Sequence, residues 1–119
     1  MSPHRAALKH ADRALIEAIR AALARVADTE RAPKMQAYMK SAMPYLGVPS
    51  PILKREMSAL AKQHPPADVE VWRDTILTLF REATYREEWY AALNLAGRTR
   101  HRFEPSALPI FEEMVVTGA

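Results

Sequence analysis

The chain has 119 residues, a formal net charge of +3, no cysteine, and 49% hydrophobic against 26% charged residues, so it is one domain or part of one and not a disordered tail. The missing cysteines exclude disulfides, thiolate catalysis and cysteine-built zinc sites. No apolar run is long enough to cross a bilayer, and Met1–Lys9 is too basic and too Ala-broken for a signal peptide, so the expected location is cytoplasmic.

Residues 1–10 are expected to be a flexible N-terminus, with the folded unit covering 11–119. From roughly Ala11 to Ala27, Leu15, Ile16, Ile19, Ala22, Leu23 and Val26 recur at steps of three and four. That spacing predicts a helix with one buried face and with Arg13, Glu17, Arg20 and Arg25 left to water. Asp28-Thr29-Glu30 offers cap oxygens to a second helix, with Pro33 in its first turn and Met35, Met39, Ala42 and Met43 as its apolar stripe. Pro44 should close that helix, and Gly47 supplies a corner. Ser50-Pro51 then reads as N-cap and first residue of a third helix with Leu53, Met57, Leu60 and Ala61 inward, stopped by His64-Pro65-Pro66.

Asp68 caps a fourth helix that carries Val69, Trp72, Ile76, Leu79 and Phe80 at helical spacing. Thr84 opens a fifth, with Glu87 three residues on as its capping-box acid and Tyr85, Trp89, Ala92, Leu93 and Ala96 as its stripe up to Gly97. Ser106 starts a sixth through Leu108, Phe111, Met114 and Val115. The expected fold is therefore all-α: about six helices of roughly 12–17 residues, arranged as antiparallel pairs stacked like HEAT repeats. A compact helical bundle fits the same helix count.

Few residues suggest self-contained chemistry. His4, His10, His64 and His101 are scattered without metal-ligand spacing, so no metal and no cofactor are expected. Glycine loops and nucleophile elbows are missing as well. Glu87-Glu88 and Glu112-Glu113 are adjacent pairs, about 100° apart around a helix, and read as solvated faces rather than a catalytic dyad. Trp72 and Trp89 read as packing residues. Lys34, Lys40, Lys54, Arg55 and Lys62 surround the second and third helices, and Arg98, Arg100, His101 and Arg102 cluster after the fifth. The latter group either complements a helix C-terminus or meets a polyanion backbone.

Three segments in order, Tyr38-Met39-Lys40 with Pro44-Tyr45-Leu46-Gly47-Val48 and Pro51, Tyr85 to Leu93, and Leu108 to Thr117, resemble the DNA alkylation repair glycosylase family. The correspondence runs from about Asp12 onward. The resemblance implies a HEAT-like superhelix that binds double-stranded DNA and hydrolyses the N-glycosidic bond of N3- or N7-alkylated purines. It places Tyr38 near the lesion and makes Lys40, Arg55, Arg98 and Arg100 backbone-contact candidates. The family's catalytic aspartate follows in a Trp-Trp-Asp motif, which is expected just after Ala119, so no catalytic residue is assigned here. Ala42-Met43 also departs from the His-aromatic pair of many members. The chain is expected to be the N-terminal half of such an enzyme and inactive alone. Its last helix, left uncapped, could bury Phe111 and Met114 against a second copy. The alternative is a non-catalytic helical scaffold that binds DNA or protein.

Overall fold

A computed structural model describes residues 8–98 together with Glu112 and Glu113. Among these residues there are five helices and no strand: α1 Arg13–Arg25, α2 Arg31–Met39, α3 Ser50–Gln63, α4 Val69–Arg81 and α5 Arg86–Ala96. The sixth helix expected from Ser106 lies outside the described residues except for Glu112 and Glu113, which are helical. Phe111 and Met114, the proposed copy-to-copy contact, also lie outside them. No helix among the described residues is long and apolar enough to cross a membrane.

The caps are local and mostly where the sequence puts them. The Asp12 carboxylate accepts from Leu15 N–H and that of Asp68 from Val71 N–H. Asp28 Oδ1 accepts from the amides of Glu30 and Arg31 at the entry to α2. At α3 the cap lies one residue nearer the N-terminus than expected: Pro49 is extended, its carbonyl accepts from Ile52 and Leu53, and Ser50 is already helical. Gly97 ends α5.

α1, α3, α4 and α5 pack into one body, with α1 against α3, α4 and α5, and α5 against α3 and α4. Ile16, Ile19, Leu23, Met57, Ile76 and Leu79 are almost wholly removed from water there. Removing such side chains from water is the main stabilising term. α4 is buried from Asp74 through Phe80 on every side, so it is the central element rather than the one-faced helix its spacing suggests. Trp72 is buried and donates its indole N–H to the Leu95 carbonyl. Trp89 stacks on Phe80 at 5.0 Å between ring centroids and donates to the Phe80 carbonyl. Both tryptophans are packing residues as read.

α2 differs from the sequence reading. It stops at Met39, where Lys40 takes a left-handed conformation (φ 50°), and it has no buried residue. Met39 is 53% exposed and Tyr38 86%. Amphipathic spacing selects a face without supplying a partner, and none of the other four helices among the described residues buries a residue of this one.

Two loops cross at the root of α2. Asp28 N–H donates to the Leu46 carbonyl, and Gly47 sits at the crossing with φ +88°. A Cβ there would lie 2.1 Å from the Asp28 carbonyl oxygen, so only glycine lets the strands of backbone meet.

Candidate functional site: the alpha2 arm and its anchor

The site is built from the bottom by Glu87. Rather than capping its own helix at the surface, this residue is fully buried. Its carboxylate accepts from the amides of Leu46, Gly47 and Val48 at 2.8, 3.0 and 3.1 Å. Arg86 N–H donates to the Pro44 carbonyl beside it. The first turn of α5 therefore satisfies the backbone of the loop that returns from α2. Glu88 performs the task expected of Glu87, accepting from Thr84 and Tyr85 N–H at 2.7 and 2.9 Å. Its other oxygen receives Arg20 Nε at 2.9 Å.

Both residues of this pair are thus buried structural acceptors, and the reading of a solvated face is corrected. Arg20, expected in water, is half-buried in the same network. Glu113 is likewise engaged, by the guanidinium of Arg81 at 2.8 Å, while Glu112 is exposed. That bond also raises the pKa of Arg81. The buried face of α5 runs through Glu87, Glu88, Ala91, Ala92, Leu95 and Ala96, so Tyr85 and Leu93 of the predicted stripe are exposed.

On this root stands α2, with Arg31, Lys34, Tyr38 and Lys40 exposed. Two open grooves flank it and share Met39. One is lined by Asp28, Glu30, Arg31, Lys34, Met35 and Tyr38. The other runs between residues 40–45 and the start of α5, reaching Thr84, Arg86 and Trp89, and encloses about 620 Å³. Its floor is aromatic: Tyr45 is buried and shares a 2.9 Å hydroxyl contact with Tyr90. Burial, with the Tyr90 hydrogen bond second, pushes the Tyr45 phenol up to about 12. This ring is a neutral packing element at any ordinary pH.

Of the residues the sequence singles out, Tyr38 and Lys40 are both exposed at the C-terminal end of α2, but Tyr38 lines one groove and Lys40 the other. Arg55 is on α3, with its side chain 69% exposed and Glu56 at 3.8 Å. Arg98 bonds to Asn94 Oδ1 and lines a separate, smaller apolar cavity with Lys62, His64 and Trp72. That cavity shares no lining residue with the α2 grooves. Arg100 lies outside the described residues. Arg86 was missed, although Trp89 and Tyr90 at i+3 and i+4 are the spacing that puts an arginine over an aromatic surface.

The sequence pattern of the family described as DNA alkylation repair enzyme matches residues 19–119. Comparison with curated proteins and with solved structures gives no match. The chain belongs to the DNA alkylation repair enzyme family, an all-helical family of HEAT-like repeats.

Proposed function

We propose that this chain is the duplex-binding N-terminal part of a DNA glycosylase that excises N3- or N7-alkylated purines, and that it does not cut the glycosidic bond alone. The observation that carries the reading is the α2 arm: a helix with no buried residue that leaves Tyr38 exposed and ends at an exposed Lys40, in a DNA repair family. An exposed aromatic costs solvation, and it is useful where a base or sugar comes to cover it.

In this reading, Lys40 and Arg55 contact phosphates, while Tyr38 lies against the damaged nucleotide. Arg98 and Arg100 extend the backbone contact. An alkylated purine carries positive charge and departs with the bonding electron pair of its C1′–N bond as water adds at C1′. The remaining need is a carboxylate against the oxocarbenium-like sugar. Among the described residues, the groove beside Lys40 has no carboxylate in its lining, and Glu87 and Glu88 are occupied by backbone amides. Neither of these carboxylates is therefore offered as the catalytic acid, and no catalytic residue is assigned among the described residues.

The test pairs two assays on the chain: binding to an undamaged duplex, and release of 7-methylguanine from methylated DNA. Salt-dependent binding without release is expected. Release of 7-methylguanine would overturn the non-catalytic assignment, and no binding at low salt would overturn the DNA reading in favour of a protein scaffold.

A further inference from the structure

Resting on the duplex-binding reading, we infer that the groove between residues 40–45 and the start of α5 is a seat for one DNA backbone phosphate, gripped by Arg86 and Lys40. The first observation is a missing partner. Arg13, Arg20, Arg25, Arg31, Arg55, Arg73 and Arg81 each have a carboxylate within ion-pair distance. Arg86 is half-buried and has none among the described residues, and its buried Nε has no hydrogen-bond acceptor.

A guanidinium withdrawn from water without an anion is costly unless something replaces its hydration. Here the replacement is partial. The Arg86 Cζ lies 4.5 Å from the Trp89 ring centroid and 5.8 Å from that of Tyr90. Aromatic contact offsets part of that cost but supplies no acceptor to Nε–H.

The second observation is the sign of the groove. Among the described residues, its lining contains two cations, Lys40 and Arg86, the hydroxyl residues Ser41, Tyr45 and Thr84, and no carboxylate. Lys40 is presented by its left-handed backbone, and it has no acidic partner among the described residues. A planar fork and a flexible ammonium on one apolar-floored groove suit a tetrahedral oxyanion, with bidentate contact from arginine. Arg86 is also fixed through its backbone to Pro44, so the loop that carries Lys40 and the helix that carries Arg86 keep one geometry.

Anisotropy titration of an unmodified labelled duplex over a salt series tests this. Arg86→Gln and Lys40→Gln should each lower the slope of log K against log salt by about 1, the value for one lost phosphate contact. Each should weaken binding several-fold at low salt. Arg86→Lys should keep the slope and lose affinity, because it keeps the charge and loses the fork. Circular dichroism identifies any misfolded Arg86 variant, and Lys40→Gln, an exposed change, then carries the test. An unchanged slope in Lys40→Gln and in folded Arg86→Gln, with Tyr38→Ala still weakening binding, would sink the groove proposal and spare the duplex reading. No duplex binding by the wild type would remove both. If inorganic phosphate shifts tryptophan fluorescence while duplex affinity ignores both variants, the groove takes a free phosphate and the DNA assignment fails.

Discussion

The four-helix body and the α2 arm are stabilised by different means. In the body, Ile16, Ile19, Ile76 and Leu79 have no contact with water, and every helix is fixed by what covers it. In the arm no residue is buried, so its position comes from its ends: Asp28 and Leu46 at the crossing, Gly47 between them, and Glu87 beneath. The arm leaves Tyr38 and Lys40 uncovered while the buried carboxylate fixes where they stand.

The largest effect should come from breaking the joint between the two regions. Glu87→Ala leaves three loop amides without acceptors, and should cost about 4 kcal/mol or more in urea denaturation. Hydrogen exchange should show Leu46, Gly47 and Val48 losing protection first. Protection retained at those amides would mean that Glu87 is not the anchor. Next comes the body itself: Ile76→Ala should cost about 3 kcal/mol through lost burial and the cavity left behind. A loss below about 1 kcal/mol would argue that α4 is not the centre of the core.

A smaller contrast is electrostatic. Arg13 donates to both oxygens of Glu82 at 3.0 and 3.1 Å, and these bonds, against partial burial, hold the Glu82 carboxyl below its usual 4.5. A depressed folded pKa means the stabilisation is complete above the unfolded value and disappears as pH falls through the folded one. Glu82→Gln should therefore lower Tm slightly at neutral pH, by the small amount an exposed pair contributes, and the difference from the wild type should shrink as pH falls below the usual carboxylate range. An unchanged acid slope would remove the pair from the account.

How much of this was legible follows the same division. Asp12 is a cap that the reading placed inside its helix instead, whereas Asp28, Asp68 and Gly97 act through neighbours in sequence and were read in place; Gly47 was read as a corner, but the close approach of Asp28 that requires a glycine there is a tertiary fact. The inward sides of α1 and α3 were read as well, because a spacing of three and four fixes a face locally. Glu87 was misread because an acid in a first turn is ordinarily dipole-complementing and solvated. Only the distant amides of residues 46–48 make it a buried acceptor. The methionine stripe of α2 was misread for the reverse reason: its spacing is helical, but none of its residues is buried, and Met39 and Ala42 are exposed. Arg86 shows the same gap, since its aromatic neighbours are local while its missing carboxylate is a tertiary fact.

The most direct test of the account is Tyr38→Ala, measured for stability and for duplex affinity on the same preparation. The account predicts a stability change within about 0.5 kcal/mol, as for an exposed side chain, together with roughly tenfold weaker duplex binding. A loss of about 2 kcal/mol in stability with unchanged DNA affinity would contradict it, and would make α2 a structural helix and not a display arm.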